Sequence, residues 1–237
     1  ASVYGNATYA KTMLKSGSHS INLNGKAYAM LPYSVASHDE ITIATWVRCS
    51  LASTAWQRIF DFGNGTDQYM FLCPNNGSEM RFVMKDKGDE QIIGTGKKLP
   101  AASWQHVAVT LKPDGDKVQA RLYLNGNVVA QSDNFTIKPT DINPSLCFIG
   151  RSMFKADALF SGHIDDFRIY NYALSGDEVA AIMEDTSESS KDLTDSFDET
   201  VPTGINATNA TGTSANVRNY DMSGKAATSA TRGIVIT

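Results

Sequence analysis

The chain has 237 residues, a formal net charge of −4 and an apolar fraction of 42%, which suits one folded domain of about 200 residues with a small appendage. Its basic residues are scattered rather than clustered, which argues against a nucleic-acid partner. No apolar run approaches the ~20 residues that a helix needs to cross a bilayer, so we expect no membrane span.

Many short strands separated by turn signals are predicted between residues 18 and 171. The segment SINLNGKAYAML predicts two strands joined at Asn24-Gly25, EITIATWV predicts a strand rich in β-branched residues, and RIFDFGNGTDQYMFL predicts two strands around Gly63 and Gly65. The stretches IATWV and QYMFL carry large apolar groups on both faces, so we expect their strands to be central, with the core on one face and loops or a ligand groove on the other.

The clearest hairpin lies in the segment VQARLYLNGNVVA. Asn125-Gly126 supplies the two residues with positive φ that a type I′ turn requires. In the preceding segment, SWQHVAVTL, alternation puts Val107, Val109 and Leu111 on one face. Short, evenly spaced strands joined by hairpins favour an antiparallel β-sandwich over a parallel βαβ sheet.

One short helix is predicted after the strands. Ser175 and Glu178 form an S-x-x-E capping box, and Leu174 and Val179 are spaced as its hydrophobic staple. We expect the helix to end near Glu184, which closes a sandwich domain spanning residues 1–184.

The composition changes after the helix. Residues 185–203 are acidic, rich in Ser and Thr and nearly free of aliphatic side chains, which predicts an exposed linker. Residues 204–237 alternate weakly and predict two or three strands. This tail is too short for a core of its own, so it would have to dock on another part of the protein.

Three cysteines, Cys49, Cys73 and Cys147, make an odd number. We favour the interpretation that all three are buried free thiols, which pack as small apolar groups. A Cys49–Cys73 disulfide across neighbouring strands is the alternative. No CxxC pair or nearby histidine supports a zinc site.

Six sequence blocks occur in an order that resembles a known family. The blocks are GSHSINLNGKAYAML, ITIATWVR, WQRIFDFGNG, ASWQHVAVTL, LYLNGNVVA and FSGHIDDFRIYNYALSGDEV. Over roughly residues 15 to 183 they resemble the laminin-G-like modules of the concanavalin A-like lectin/glucanase superfamily. The resemblance implies an all-β, antiparallel jelly-roll β-sandwich with one short C-terminal helix. The opening strand of that family is poorly represented before Gly17.

The segment WQRIFDFGNGTDQYMFL resembles the corresponding part of modules that are appended to secreted bacterial glycoside hydrolases, including arabinan-active ones. This resemblance implies a non-catalytic, carbohydrate-binding accessory module of a secreted, extracytoplasmic polysaccharide-degrading protein. Its partners would be an oligo- or polysaccharide and a catalytic domain. One alternative is a structural or protein-interaction module that packs on a catalytic domain. A divergent glycoside hydrolase is the other.

The tail VRNYDMSGKAATSATRGIVIT resembles the C-terminal secretion-type segment of Bacteroidetes proteins. Asp221, Gly224, Gly233 and Ile234 carry this resemblance. A plain docking hairpin explains the same residues equally well.

Glucanases of this superfamily carry their paired catalytic acids in an E-x-D-x-x-E run. No such run occurs here. The nearest pair, Asp165-Asp166, is adjacent, so on a regular strand the two carboxylates point to opposite faces. They cannot form a retaining glycosidase pair, whose carboxyl groups lie about 5 Å apart.

Asp165 is nevertheless the most informative acid. It has the strand parity of Phe167 and Ile169, which we expect to face the core, so its carboxylate needs a partner. One hypothesis is a structural Ca²⁺ ion held by Asp165 and Asp166 at the sandwich rim, since calcium prefers oxygen ligands and related modules bind it there. The alternative is a buried carboxylate that accepts backbone N–H bonds or pairs with an arginine.

Sugars bind proteins by stacking on aromatic rings and by bonding to a few fixed polar groups. Trp56 and Tyr69 flank turn-rich segments and are the predicted stacking residues. Asn64 lies in a loop where it could bond a sugar hydroxyl. Arg58 and Arg151 could either pair with a buried acid or donate to sugar hydroxyls, and pairing is favoured for Arg58.

Overall fold

The chain folds into two facing antiparallel sheets in a computed structural model. The structure describes residues 1–11, 13, 15 and 19–185, and the backbone of 219–220, 226–227 and 233–236. The strands are β1 (Ser2–Gly5), β2 (Thr8–Ala10), β3 (Ser20–Asn22), β4 (Ala27–Leu31), β5 (Ile41–Cys49), β6 (Phe60–Gly63), β7 (Gln68–Cys73), β8 (Arg81–Asp86), β9 (Gln91–Gly94), β10 (Gln105–Asp114), β11 (Lys117–Leu124), β12 (Asn127–Phe135), β13 (Leu146–Ile149), β14 (Gly162–Tyr170), β15 (Asn219–Tyr220), β16 (Ala226–Ala227) and β17 (Gly233–Ile236).

The strands are divided between a seven-stranded and an eight-stranded sheet. The first has the order β1-β4-β13-β6-β7-β8-β9. The second has the order β12-β11-β10-β5-β14-β3-β2, with β17 added beside the second half of β14. Two helices, α1 (Pro139–Ile142) and α2 (Gly176–Glu184), and one 3-10 turn (Tyr33–Ala36) complete the described part. The antiparallel sandwich and its C-terminal helix are as predicted.

The core lies between the sheets and is built by strand alternation. Val107, Val109 and Leu111 of β10 face it, as predicted, and so do Phe60 and Phe62 of β6. Burial of such a side chain stabilises the fold by about 1.5–3 kcal/mol. Strands β5 and β7 are buried on both faces, as expected from their sequences, because each sheet also carries covering elements on its outer side.

The hairpin at Asn125-Gly126 is confirmed. Leu124 pairs with Asn127, and the two turn residues have φ values of 49° and 78°, as a type I′ turn requires. The predicted turn at Asn24-Gly25 also has positive φ at both residues. It does not join paired strands, however, because β3 lies in the eight-stranded sheet and β4 in the seven-stranded sheet.

Two short strands occupy the N-terminal region that the sequence left without a clear opening strand. Strand β1 pairs with β4 at the edge of the seven-stranded sheet, and β2 pairs with β3 at the edge of the other. Edge strands are exposed on most sides, so their sequences lack the apolar alternation by which strands are recognised.

Strand β14 contains a β-bulge at Asp166, whose φ of 48° lies in the left-handed region. Ile164 and Phe167 both face the core although they are three positions apart. Asp165 lies opposite Trp46 on the outer face of the sheet. The prediction that Asp165 shares the core-facing side with Phe167 is therefore wrong. One extra residue reverses the alternation on its far side.

Helix α2 packs on the outer face of the eight-stranded sheet. Its N-cap is the predicted capping box, in which Ser175 and Glu178 bond each other's backbone N–H groups. Leu174 and Val179 are buried together against Ala44 of β5. The helix ends at Glu184, as predicted.

The predicted linker, residues 185–203, lies outside the described residues except for Asp185. Of the tail, residues 204–237, the structure describes the backbone of β15, β16 and β17. Strands β15 and β16 pair with each other, and β17 pairs antiparallel with residues 167–170 of β14. Asp221 and Gly224, which carry part of the resemblance to a secretion segment, lie outside the described residues.

All three cysteines are buried and free. Cys49 belongs to β5 and Cys73 to β7, which lie in different sheets rather than on neighbouring strands. Burial raises the pKa of the Cys49 thiol to about 12, which keeps it protonated and unreactive. Within the described part of the chain, no helix has the length and apolar character needed to cross a membrane.

Candidate functional site

The outer face of the seven-stranded sheet is rich in aromatic side chains. Its strands alternate between the core and this face, so that Tyr28 of β4, Phe148 of β13 and Tyr69 and Phe71 of β7 point outward. Arg58 lies over Phe71, and Arg151 lies over Tyr28. A third arginine, Arg81, lies over Trp56. The face thus combines flat apolar surfaces with cationic hydrogen-bond donors.

One end of this face carries a stack that we call the Tyr28 platform: Tyr4, Tyr28, Phe148 and Arg151. The rings of Tyr4 and Tyr28 are nearly parallel, with centroids 4.9 Å apart, and Tyr28 meets Phe148 edge-on at 5.6 Å. The Arg151 guanidinium lies 4.7 Å from the Tyr28 centroid and 4.8 Å from that of Phe148. Tyr4 is 40% exposed.

Arg151 has no carboxylate or hydrogen-bond partner for its guanidinium among the described residues. Within the described part of the chain, its guanidinium makes two cation–π contacts, both in the platform. Such contacts fix the plane of the guanidinium and leave its N–H groups free to donate. The platform therefore offers both a ring surface and directed donors to a ligand.

The loop between β13 and β14, residues 150–161, covers the middle of the face. The Met153 N–H donates to Oδ2 of Asp61 on β6 over 2.9 Å, and Phe154 packs edge-on against Tyr69, with centroids 5.7 Å apart. Gly150 begins the loop with a φ of 80°. This left-handed backbone conformation favours glycine, and a Cβ there would also displace the end of the Leu23 side chain.

Arg58 holds this loop down from inside. Its Nη2 lies 3.1 Å from Oδ2 of Asp157 in the loop, its Nε lies 3.6 Å from Oδ2 of Asp61, and its Nη1 donates to the Trp56 carbonyl over 2.6 Å. The guanidinium also lies over Phe71 at 3.9 Å. With only 2% of its surface exposed, Arg58 pairs with the buried Asp61 and the partly buried Asp157 and cannot donate to a sugar.

Asp61 is completely buried beneath the loop. Burial raises its pKa to about 7, against the opposing effects of the Met153 N–H bond and the Arg58 charge. Asp61 and Asp157 share Arg58 between them, so they form a structural cluster rather than an open acid pair. No ligand of sugar size can reach Asp61 without displacing the loop.

Tyr69, a predicted stacking residue, is only 2% exposed. Its ring lies between Phe71 and Phe154, and its hydroxyl donates to Oε1 of Glu90 over 2.5 Å. Burial and the neighbouring Glu90 carboxylate raise the pKa of the Tyr69 hydroxyl. The ring has no open surface on which a sugar could stack.

Trp56 lies at the other side of loop 150–161 and is 39% exposed. Its indole ring is 5.6 Å from the Arg81 guanidinium and 5.7 Å from that of Arg58. Arg81 also pairs with Glu79 at 3.4 Å. We call Trp56 and Arg81 the Trp56 corner. Trp56 and Arg151 are thus the two predicted site residues that the structure leaves open on this face.

Asn64, predicted to contact a sugar, uses its side-chain amide in hydrogen bonds within the protein. Its side-chain nitrogen donates to the Ile142 carbonyl over 2.7 Å, and its oxygen accepts from the Ser145 N–H over 2.8 Å. These bonds tie the β6–β7 turn to the loop after α1. Asn64 is not part of the Tyr28 platform or the Trp56 corner.

Tyr4 and Tyr28 were missed by sequence reasoning. Tyr28 lies in a strand with alternating burial, AYAML, so parity identified it only as facing away from the core. Tyr4 belongs to an edge strand without a recognisable pattern. The signal that would have found them is their register, because Tyr4 lies directly opposite Tyr28, and register depends on strand pairing.

The residues at the β14 bulge do not fit the predicted calcium site. Oδ2 of Asp165 accepts the Lys15 N–H over 2.6 Å, while Oδ1 of Asp166 accepts from Nε of Arg168 over 2.7 Å. Both acids are buried, and the adjacent guanidinium would repel a cation. No group of three or more His, Cys, Asp or Glu side chains suited to a metal occurs in the described part.

The two facing antiparallel sheets, with a helix on one outer face and an aromatic surface on the other, define a lectin-type β-sandwich. A laminin-G family model, described as the concanavalin A-like lectin/glucanases superfamily, matches residues 23–180. The chain therefore belongs to this superfamily. A comparison with curated protein sequences finds no match.

Several solved structures share the fold. Domain 4 of AbnA, an extracellular arabinanase from Geobacillus stearothermophilus in complex with arabinotriose, is 22% identical, with a TM-score of 0.63 over 77% of this chain and 87% of that chain. The CBM40 module of the Ruminococcus gnavus IT-sialidase, bound to alpha2,3 sialyllactose, is 21% identical, with a TM-score of 0.55 over 63% and 85%. The botulinum neurotoxin serotype C1 binding domain is 15% identical, with a TM-score of 0.59 over 79% and 47%.

Proposed function

We propose that this chain is a non-catalytic carbohydrate-binding module that holds an oligo- or polysaccharide on the outer face of its seven-stranded sheet. One observation carries the proposal. Arg151 lies over Tyr28 and Phe148 with its donors uncommitted among the described residues, beside the exposed ring of Tyr4. Aromatic rings bind the C–H faces of sugars, and fixed donors bind their hydroxyls.

The carboxylates of the same face support binding rather than hydrolysis. Asp61 is enclosed beneath the loop, and Asp157 is paired with Arg58. A retaining glycosidase needs two carboxyl groups about 5 Å apart on either side of the sugar, and an inverting one needs them about 6.5–9.5 Å apart. Neither acid of this cluster can flank a sugar held on the Tyr28 platform, because Arg58 binds both of them.

The finer proposal is that the chain is an accessory module of a secreted bacterial polysaccharide-degrading protein, acting outside the cytoplasm beside a catalytic domain. Two similar folds are parts of an extracellular arabinanase and a sialidase, and this chain spans 87% and 85% of them. The module would keep the enzyme near its substrate by adding a second attachment point, which raises the effective local concentration.

Glycan binding can be tested by isothermal titration of the full chain with arabinan, galactan and host-type oligosaccharides. For a glycan that binds, we expect Arg151→Ala and Tyr28→Ala each to weaken the affinity by about tenfold. Tyr9→Ala is the matched control, because Tyr9 is an exposed tyrosine on β2 of the other sheet. Trp56→Ala shows whether the ligand extends to the Trp56 corner.

The absence of binding to every glycan tested would contradict the proposal and favour a structural module that packs on another domain. Release of product from a chromogenic glycoside, abolished by an Asp→Asn change, would instead show an enzyme.

A further inference from the structure

A second candidate site lies on the other sheet, where the ends of β3, β5 and β14 meet. A cavity of about 400 Å³ opens there, within the size range of small-molecule sites. Three polar side chains lie in one row across its floor: His163 of β14 is directly opposite Asn22 of β3 on one side and Arg48 of β5 on the other. Side chains so paired point to the same face of a sheet.

The charge in this cavity is unbalanced. Among the described residues that line it, Arg48 is the one charged residue and there is no carboxylate. In the described part of the chain the Arg48 guanidinium has no ion pair and no hydrogen-bond acceptor, whereas Arg58, Arg121 and Arg168 are all paired with acids. A half-buried cation without a counter-ion favours an anionic ligand.

The neighbouring groups suit a sugar ring. Asn22, Asn24 and Ser161 line the same cavity. Oδ1 of Asn22 accepts the Asn24 N–H and Nδ2 of Asn24 donates to the Asn6 carbonyl, which leaves Nδ2 of Asn22, Oδ1 of Asn24 and the Ser161 hydroxyl to bond sugar hydroxyls. Leu51, which is largely exposed, adds an apolar wall. The cavity therefore combines one guanidinium with neutral hydrogen-bonding groups. Recognition of a sugar that carries one negative charge requires this combination.

The imidazole of His163 is fixed in position by its neighbours. Its Nδ1 lies 3.2 Å from Oγ of Ser20, and the ring of Trp104 packs edge-on against it, with centroids 6.2 Å apart. Burial, together with the charge of Arg48, lowers the pKa of His163, so the imidazole stays neutral at pH 7. A cavity with a single positive charge matches a monoanion better than a phosphate dianion.

We propose that this cavity binds the carboxylate of a sugar acid, such as a uronic-acid residue, through the Arg48 guanidinium. The cavity lies on the eight-stranded sheet and shares no residue with the Tyr28 platform or the Trp56 corner. Its ligand can therefore be tested separately from the glycan binding proposed for the Tyr28 platform, and either site can fail while the other stands.

The test uses two probes that differ only at C6. Methyl β-D-glucuronide carries a carboxylate there and methyl β-D-glucoside a hydroxymethyl group. We expect titration of the isotope-labelled full chain to shift the amide resonances of Arg48 and His163 with the glucuronide only. Sodium acetate distinguishes a sugar-acid site from a general carboxylate site, and we expect it to bind at least about tenfold more weakly than the glucuronide.

Arg48→Gln should weaken glucuronide binding by about tenfold or more, because it removes the charged donor. Arg48→Lys keeps the positive charge but loses the planar guanidinium. Its affinity for the glucuronide should therefore lie between that of the unchanged chain and that of Arg48→Gln. Arg121→Gln on β11 of the same sheet is the matched control and should leave glucuronide affinity unchanged, because Arg121 is paired with Asp133 and does not line the cavity. Thermal melts check that each variant is folded. If a variant does not fold, the amide shifts of the unchanged chain with the glucuronide and the glucoside still test the proposal.

Three results would overturn the sugar-acid site: equal binding of the glucuronide and the glucoside, acetate binding as tight as that of the glucuronide, or shifts confined to residues of the Tyr28 platform.

Discussion

The Arg168 guanidinium donates from Nε to Oδ1 of Asp166 over 2.7 Å, and both side chains are buried. The same guanidinium reaches Asp185, directly after α2, with 3.2 Å between Nη1 and Oδ2. A bulge residue thus orients the arginine that fastens the end of the helix to the sheet. A cation at this end of a helix is also favoured by the helix dipole.

Asp166→Ala should lower the free energy of unfolding by about 3–5 kcal/mol, because it leaves the buried Arg168 charge short of its counter-ion. Urea unfolding measures the change. Asp133→Ala is the matched control, since the Arg121–Asp133 pair lies at the surface and is worth less than about 1 kcal/mol. Equal losses of unfolding free energy for the two variants would show that the buried Asp166–Arg168 pair stabilises the fold no more than the surface pair does.

The same substitution should lower the stability of the protein much more at Arg58 than at Arg151. Arg58→Met leaves Asp61 buried without its cation and should cost about 3–5 kcal/mol of stability. Arg151→Met should change stability by less than about 1 kcal/mol, because Arg151 is half-buried and binds no acid in the described part. Chemical denaturation measures both values. A stable Arg58→Met variant that has lost glycan binding would make Arg58 a ligand contact after all.

His106 should contribute a loss of stability in acid. Burial, with a smaller effect from the Arg168 charge, lowers the pKa of this histidine to about 4. Between pH 6.5 and pH 4 the unfolded chain binds a proton at this position more readily than the folded one, so the contribution of His106 is complete above pH 6.5 and decreases below it. Asp61 acts in the opposite direction over much of this range, because its raised pKa makes the folded chain bind a proton that the unfolded one does not. The expected loss from this residue is about 3 kcal/mol.

His106→Gln should remove that part of the pH dependence, while the contributions of His163, whose pKa is also lowered, and of Asp61 remain. Unfolding free energies at half-unit pH intervals measure it. Identical slopes in the variant and the parent chain would assign the acid sensitivity elsewhere.

Calcium should have no effect on thermal stability. The carboxylates proposed from sequence as its ligands are bonded to Lys15 and Arg168. Melting temperatures in EDTA and in excess calcium should therefore coincide, since an ion that binds the folded state would raise the melting temperature. A calcium-dependent increase that Asp165→Asn abolishes would restore the metal site.

Local patterns predicted the elements of this fold. The Asn125-Gly126 turn, the capping box at Ser175 and the core face of β10 each depend on residues within a few positions of one another. The order of the sequence blocks then identified the sandwich. These signals are local, and the structure agrees with them.

The errors have non-local causes. Asp165 turned to the outer face because of the bulge at Asp166, which nothing in the strand sequence marks, since the residue with positive φ is not a glycine. Tyr69 became buried under a loop about 80 residues later in the chain, and Asn64 was bonded by Ile142 and Ser145 from a similar distance. Alternation shows which face a side chain is on, but it does not show what covers that face.

Strand β14 has two different neighbours along one edge: β3 beside residues 163–164 and β17 beside residues 167–170. A chain cut after Asp185 would lose β17 and leave the backbone N–H and C=O groups of residues 167–170 without a strand on that side. An open edge is a template on which a second molecule can add a strand. We therefore expect the shortened chain to dimerise or aggregate in sedimentation velocity runs at concentrations where the full chain is monomeric.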